Sequence, residues 1–251
     1  MTFNKDFIEV LGIRPGQMVT MVGAGGKTSL LQLLCKELVE EGFSVIMTTT
    51  TKIYPPSDRG SLVLTGSCLD LGLIKDKLAQ RGAVCVGSEI NHEHKLVGLT
   101  ASQADACLEL ADFVLVEGDG AAGKSFKAPG LHEPVIPERS TIVCAVAGLS
   151  IIGRKLKSDI VHRPEFVAKI TGLTWGDVIG AKAIAKVLAR PEGYYTSKYS
   201  YLPVLNQADN ERLLDCGVEV AQEIFALNPL IQQVVLTSAK CSPAIRKVLN
   251  R

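Results

Sequence analysis

The segment that decides the fold is MVTMVGAGGKTSLLQLL, residues 18–34. It begins as a short apolar strand, turns through a glycine-rich loop and continues as a helix whose leucines recur at three- and four-residue steps. The loop ends in Gly-Lys-Thr, as phosphate-binding loops do, but the usual pattern G-x-x-x-x-G-K-[ST] has a glycine where this chain has Met21. The segment therefore poses a choice between a shortened nucleotide-binding loop and a glycine-rich turn without a ligand.

The chemistry of the loop favours a phosphate site. Small residues let backbone N–H groups approach an anion closely, and the N-terminus of a helix attracts that anion. A lysine at the positive end of a helix is unfavourable unless an anion lies there, and a following threonine offers a hydroxyl to Mg²⁺. The spacing G-x-x-G-K-T also resembles the loop of the Mur-type peptide ligases, which bind ATP without the earlier glycine. The predicted phosphate-binding residues are Gly23, Ala24, Gly25, Gly26, Lys27, Thr28 and Ser29.

Composition excludes several classes of partner. The chain has 27 basic and 26 acidic residues, so no global field attracts nucleic acid or an anionic membrane. Its longest apolar run, near residues 142–152, is about half of what a membrane span needs. The N-terminus lacks a secretory pattern, and the seven cysteines are scattered without C-x-x-C pairs. We therefore expect a cytoplasmic protein with reduced thiols, and neither nucleic acid nor membrane as partner.

Strand-like and helical patterns alternate along the chain. This alternation predicts an α/β, P-loop NTPase-like three-layer fold, with a mostly parallel sheet covered by helices on both faces. We expect a single domain over residues 1–251, with a soft subdivision near 134–138. Short runs at 83–87 and 95–99 indicate a peripheral hairpin, and the periodicity of 242–249 predicts a last helix. The strand-like runs are 18–22, 43–48, 62–65, 112–117, 141–147, 201–205 and 233–237.

Polar residues follow the second and fourth strands, where ligands of parallel sheets bind. Thr49 lies in a run of four threonines that ends the second strand, although β-branched residues also favour extended structure on their own. Glu117 and Asp119 follow the fourth strand, and with Thr28 they predict a Mg²⁺ site, since Mg²⁺ takes one or two carboxylates plus phosphate oxygens and water. A bare turn is the alternative. Lys124, in the long loop that follows, is a candidate for the terminal phosphate.

Four motifs resemble the YqeC-type accessory proteins of selenium-dependent molybdenum hydroxylases. They are VGAGGKTSLL, TTTTKIYPP, VLVEGDGAAGKSFKAPGLHEPVIP and HRPE, which together run over most of the chain. The resemblance implies a cytoplasmic P-loop protein that helps make or insert the selenium-bearing molybdenum centre of those enzymes. This sequence departs from the family at Lys52, where the resemblance leads us to expect histidine.

Two motifs at the ends of later strands resemble the base-recognition elements of GTPases. These are NQAD at residues 206–209 and SAK at 238–240. A carboxylate at Asp209 can accept both N–H donors of guanine, whereas adenine would leave it unpaired. Gln207 replaces the usual lysine, and Asp209 in the alternative interpretation only caps the next helix. ATP and GTP both remain open, with Asn206, Asp209, Ser238, Ala239 and Lys240 as the base-binding candidates.

Basic and histidine side chains after the fourth strand indicate an anionic substrate or a partner. A charged surface is the simpler interpretation of such clusters. The alternative is an electropositive entrance for an anionic substrate, such as a molybdopterin-type cofactor, or for the target hydroxylase. The candidates are Lys127, His132, His162 and Arg163.

The function predicted from these patterns is that of a Mg²⁺-dependent NTPase acting in maturation of a selenium-dependent molybdenum hydroxylase. Lys27, Glu117 and Asp119 are the catalytic candidates, because phosphoryl transfer depends on positioning and electrostatics. Two alternatives stay open. One is a Mur-like ATP-dependent ligase or small-molecule kinase, and the other is a non-catalytic binding module in which nucleotide gates a docking surface.

Overall fold

The computed structural model of the chain describes residues 6–251. Its helices and strands alternate as the sequence predicts. The helices are α1 (Phe7–Leu11), α2 (Lys27–Glu40), α3 (Leu71–Arg81), α4 (Ala101–Ala106), α5 (Pro164–Thr171), α6 (Ala181–Ala189) and α7 (Glu211–Leu227). The strands are β1 (Gln17–Gly23), β2 (Val45–Thr49), β3 (Lys52–Ile53), β4 (Leu62–Leu64), β5 (Ala83–Gly87), β6 (Glu89–Ile90), β7 (Leu96–Val97), β8 (Phe113–Glu117), β9 (Phe126–Lys127), β10 (Ile142–Gly148), β11 (Val161–His162), β12 (Ser200–Asn206), β13 (Gln233–Thr237) and β14 (Ile245–Asn250).

A nine-stranded sheet organises the molecule, in the order β14-β13-β12-β10-β1-β8-β2-β5-β4. Every neighbouring pair is parallel except β13 and β14. The central position of β1 brings the glycine loop that follows it next to the ends of β8 and β10. Strands from both sides of residues 134–138 share this sheet, and the number of domains stays a prediction.

Helices cover both faces of the sheet. Alternate residues of β1 point to opposite faces, so Met21 packs with Leu30 and Leu34 of α2, whereas Val22 lies in the cluster that contains α6 and α7. Met18 lies in a third cluster, which contains Ile74 of α3. The predicted α/β class, with a mostly parallel sheet between two helical layers, is confirmed.

The last predicted helix is wrong. Residues 245–250 form β14, which pairs antiparallel with β13 at the edge of the sheet. Ile245, Val248 and Leu249 recur at helical spacing, but a short apolar segment carries both periodicities and the open edge of β13 offers backbone partners. Long-range pairing therefore decided the conformation of this segment.

The predicted hairpin of 83–87 and 95–99 is also wrong in its pairing. Residues 83–87 are β5, a buried parallel strand between β2 and β4. The turn that follows instead joins β6 to β7, and β3 completes a small three-stranded sheet beside the main one. No helix within residues 6–251 is long and apolar enough to cross a membrane.

Candidate functional site

The glycine loop connects β1 directly to α2. Gly23, Gly25 and Gly26 all have positive φ, between 93° and 111°. A Cβ on Gly25 would lie 2.3 Å from the backbone nitrogen of Gly148, so only glycine fits this turn. Gly26 is the N-cap of α2 and supplies no side-chain cap, which leaves the first amides of the helix for a ligand.

Lys27 lies at the centre of a buried group of charges. Its Nζ donates to the carbonyl of Gly23 at 2.6 Å and lies 3.5 Å from Glu117 Oε1 and 3.2 Å from Asp119 Oδ1. The side chain is almost fully buried, and the two carboxylates balance its charge. The three catalytic candidates, Lys27, Glu117 and Asp119, thus lie together in the structure.

Asp119 supports the loop from behind. Its carboxylate accepts the N–H of Gly23 at 3.0 and 3.1 Å and the hydroxyl of Tyr194 at 2.8 Å, and it pairs with Lys127 at 3.0 Å. These groups and the Lys27 ammonium surround the side chain of Asp119, which has no solvent exposure. A cleft lies beside the loop and is called here the phosphate cleft; Lys27, Thr28 and Glu117 are among the residues that line it. Asp119 is not among those residues, and its carboxylate supports the loop through the Gly23 N–H.

Thr28 and Glu117 lie side by side in the lining of the phosphate cleft. The hydroxyl of Thr28 donates to Glu117 Oε2 at 2.6 Å, which brings two hard oxygen donors to one point beside the loop. This donor set fits Mg²⁺, which takes few protein ligands and keeps water and phosphate oxygens. Within residues 6–251 no group of three or more His, Cys, Asp or Glu side chains could hold a metal.

The other predicted phosphate-site residues lie near the loop with different roles. Ser29 lines the cleft, and Lys124 does so while its Nζ donates to the carbonyl of Asp159. The backbone carbonyl of Lys124 also accepts the N–H of Gly25 at 3.1 Å. Thr49 is buried and donates to the carbonyl of Glu117 at 2.8 Å, so it fixes the end of β8 and does not face the cleft.

Asn206 ties the glycine loop to the ends of β12 and β13. Its Nδ2 donates to the carbonyl of Gly25 at 2.7 Å, and its Oδ1 accepts the hydroxyl of Thr237 at 3.0 Å. Asn206 is buried, and its two hydrogen bonds fix the glycine loop against the ends of β12 and β13, where the base-binding candidates lie. This contact joins the two halves of the predicted nucleotide site.

A second cleft of about 510 Å³ begins where the loop ends. Asp209 lies in its wall, where it accepts the hydroxyl of Ser238 at 2.6 Å and the Nζ of Lys240 at 2.8 Å. These hydrogen bonds, first that of Lys240, lower the pKa of Asp209. Asn210 caps α7, so the alternative in which Asp209 caps that helix is wrong. The cleft is lined by Gly25, Gly26, Ser29, Gln32, Leu33, Lys36, Asn206, Gln207, Asp209, Ala239 and Lys240.

The four substrate or partner candidates are divided among three environments. Lys127 is buried and binds Asp119, the carbonyl of Gly120 and Glu133. His162 and Arg163 line the phosphate cleft, and Arg163 pairs with Glu133 at 2.9 Å. His132 is exposed and lines an adjoining cleft.

Three contributions to the site escaped sequence reasoning. Tyr194 hydrogen-bonds Asp119 from a loop 75 residues away, and no local pattern distinguishes it from the other tyrosines. Gln207 has φ of 66° and accepts the hydroxyl of Ser150, so it bends the chain beside the loop. Lys52 and Lys95 enter the phosphate cleft from the small sheet, which the sequence did not predict.

Comparison with known proteins agrees with the motifs. A protein of Pyrococcus abyssi described as a GTPase in apo form aligns over 90% of this chain and 91% of its own, with a TM-score of 0.37 and 12% identity, too low for any conclusion. The YqeC protein of Escherichia coli (strain K12) is 34% identical over 181 residues, which cover 71% of this chain and 70% of that protein. The YqeC family model matches residues 19–165. The chain belongs to the YqeC family.

Proposed function

We propose that the protein binds a purine nucleoside triphosphate with Mg²⁺ and hydrolyses it. The observation that carries this proposal is the convergence of Lys27, Thr28 and Glu117 at an uncapped helix N-terminus behind a glycine turn. Each group suits one part of a Mg²⁺-nucleotide: the lysine and amides suit phosphate, and the oxygen pair suits the metal.

The chain's own residues position the phosphates. Lys27 exchanges its contacts with Gly23 and the two acids for the phosphate oxygens, while Asp119 keeps the loop in place through the Gly23 N–H. Thr28 and Glu117 would hold Mg²⁺, which when bound would neutralise part of the negative charge on the phosphates. Since phosphoryl transfer depends on positioning and electrostatics, no covalent catalyst is required of the protein.

The base occupies the cleft beside Asp209 and Ala239. A guanine ring donates its two N–H groups to the Asp209 carboxylate and replaces Lys240 there. Lys240 is exposed and free to move away. Adenine offers no paired donors to that carboxylate, and it would have to be bound without this exchange. The nucleotide is therefore ATP or GTP, and the geometry at Asp209 favours GTP.

The proposed role in the cell is based on the resemblance of the sequence motifs to YqeC-type accessory proteins of selenium-dependent molybdenum hydroxylases. We propose that nucleotide turnover serves the maturation of a selenium-dependent molybdenum hydroxylase in the cytoplasm, where a conformational change accompanies transfer of the cofactor. The target enzyme or a molybdopterin-type cofactor is the proposed partner. His162 and Arg163 remain candidates for that contact, because they line the same cleft as the loop.

A panel of nucleotides tests the central proposal. Mg-ATP, Mg-GTP and Mg-CTP are titrated calorimetrically into the wild type, Lys27→Ala and, as a control, Lys75→Ala, which removes an exposed charge on α3. We expect one purine nucleotide to bind and Lys27→Ala to weaken it about 100-fold, since a charge-assisted contact in a buried site is lost. Binding of no nucleotide, or equal binding to Lys27→Ala, overturns the proposal.

A ligase or kinase is the second candidate, because the phosphate cleft extends beyond the loop toward further cations. Product analysis separates the two functions. Slow release of inorganic phosphate without an acceptor supports hydrolysis, whereas nucleoside diphosphate formed only when a small acid is present supports a ligase or kinase. Nucleotide binding without any turnover supports a gated binding module.

A further inference from the structure

The phosphate cleft is larger than the phosphate site that it contains. Its volume is about 740 Å³, within the range of small-molecule sites, and the loop forms only one end of it. Gly25, Gly26, Ser29 and Gln207 line both this cleft and the base cleft, so the base cleft opens on one side of the loop. A nucleotide with its base at Asp209 therefore leaves the far part of the phosphate cleft open.

The far part of the cleft is rich in positive charge. Lys52 of β3 and Lys95, which precedes β7, line the cleft beside the small sheet, and Lys124 and Arg163 line it from the segments that follow β8 and β11. With Lys27 they make five basic side chains against two acidic ones, in a chain whose formal net charge is only +1. Concentration of like charge in a concave site raises the local potential and attracts anions.

The existing partners of these cations do not neutralise the cleft. Lys95 pairs with Glu93 at 3.0 Å, but both side chains are partly exposed and such pairs are weak. Lys124 donates to a backbone carbonyl, which carries no full charge. Arg163 pairs with Glu133, which already binds the buried Lys127. Lys127 also pairs with Asp119, so this network is balanced: its three cations, on Lys27, Lys127 and Arg163, meet three carboxylates, on Glu117, Asp119 and Glu133. Within residues 6–251 neither Lys52 nor Lys124 has a carboxylate at ion-pair distance, and their positive charge remains available to a ligand.

We propose that this end of the cleft binds a second ligand, a small molecule that carries phosphate or carboxylate groups with at least two negative charges. Lys52, Lys95 and Arg163, which line this cleft, contact it. The side chain of Tyr54, 76% exposed at the rim, offers an aromatic face to a planar part of the ligand. The ligand lies next to the terminal phosphate, the position of an acceptor or of a cofactor that senses nucleotide state. This placement relies on the proposed nucleotide function, whereas the anion site itself does not.

The test separates the second site from the nucleotide site. Wild type is saturated with a Mg²⁺-bound non-hydrolysable nucleotide and titrated calorimetrically with citrate in one arm and 2-phosphoglycerate in another. The test variant is Lys52→Ala/Lys95→Ala, and Lys75→Ala/Lys182→Ala is its control, since both control lysines are exposed and outside the cleft. The two arms distinguish carboxylate from phosphate recognition.

We expect saturable binding of at least one anion to wild type and control, weakened about tenfold or more in the test variant and further by added salt. Nucleotide affinity stays within about threefold in wild type and the two double variants. Anion binding that is absent, or that is equal in the test and control variants, overturns the proposal. Loss of nucleotide binding together with anion binding in the test variant also overturns it, because the cleft then holds one ligand.

A parallel titration of wild type and both double variants with the same anions, but without nucleotide, distinguishes the two failures. If nucleotide binds no protein but the anion still depends on Lys52 and Lys95, the nucleotide function fails and the anion site stands. If nucleotide binds normally and no anion binds, the anion site fails and the nucleotide function stands.

Discussion

The two ends of the proposed nucleotide site hold their aspartates in opposite ways. At the phosphate end the side chains of Asp119 and Lys127 are fully buried and pair at 3.0 Å. At the base end the side chain of Asp209 is 24% exposed and that of its partner Lys240 is 80% exposed. A buried pair must remain intact because an unpaired buried charge is costly, whereas an exposed pair exchanges partners easily. The loop is therefore fixed before a ligand arrives, and the base end is free to rearrange around one.

The largest effect that tests this difference is on stability. Asp119→Ala leaves the Gly23 N–H and the Tyr194 hydroxyl without an acceptor and removes one of the two carboxylates that pair with the buried Lys127, so it should lower the free energy of unfolding by about 3–5 kcal/mol. Asp209→Ala removes an exposed pair and should cost about 0–1 kcal/mol. Urea unfolding of both variants and of wild type measures the two losses. Equal losses would show that the two ends do not differ in the way described.

The glycine loop gives the next largest effect. In Gly25→Ala the new Cβ meets the backbone of Gly148 at 2.3 Å and that of Ser125 at 2.9 Å, and neither can move aside as a side chain would. We expect a loss of about 3 kcal/mol in unfolding free energy together with most of the nucleotide affinity.

Gly42→Ala is the matched control for that loop substitution. Gly42 has φ of 88° but nothing within 4 Å of an added Cβ, so only the backbone strain remains. That strain should cost about 1 kcal/mol and leave nucleotide affinity unchanged. A Gly25→Ala protein as stable as Gly42→Ala would mean that the loop is not held in place by its neighbours.

At the base end the expected effect is on specificity. Asp209→Asn replaces a double acceptor by a group that donates on one side, so GTP affinity should fall about 10- to 100-fold and xanthosine triphosphate should bind better than to wild type. Calorimetry with GTP, xanthosine triphosphate and ATP measures the change. Unchanged GTP affinity combined with tight ATP binding would assign the base as adenine, and would show that Asp209 serves Lys240 and Ser238 alone.

Local sequence patterns were sufficient to predict the strand, loop and helix at the centre of the fold. The strand, glycine turn and leucine-striped helix of residues 18–34 are consecutive in sequence, so propensity and periodicity describe them fully, as they do Glu117 at the end of β8. The edge strand β14 could not be predicted, because its conformation depends on pairing with β13 and its own periodicity also fits a helix.

Long-range contacts limited what could be predicted of the site. Asp119 follows its strand as a metal ligand would. The sequence does not show that Lys127 of β9 and Tyr194 of a later loop enclose its carboxylate. Lys52 and Lys95 reach the cleft only because β3 and β7 pair across more than 40 residues. Sequence spacing thus found the groups at strand ends, and it missed groups whose position depends on tertiary pairing.

The smallest effect expected at the phosphate end concerns His162. Burial lowers the pKa of its imidazole, and the nearby charges of Lys127 and Arg163 lower it further. The folded-state pKa thus lies below the unfolded value of about 6.5, so the unfolded chain takes up a proton first as the pH falls. The contribution of His162 to the free energy of unfolding is fully present above pH 6.5 and is lost as the pH falls from there to the folded-state pKa. The loss is less than about 1 kcal/mol because the ring stays partly exposed.

Two measurements check the assignment to His162. Urea unfolding at pH 7 and pH 5 should show that His162→Gln loses less stability than wild type over this interval. NMR titration of the histidine ring signals should show His162 titrating below 6.5, and Arg163→Ala should raise its pKa because one of the neighbouring cations is gone. A His162 pKa that is ordinary in wild type and unmoved by Arg163→Ala would contradict the crowding of positive charge at this end, and with it the contrast to the open base end.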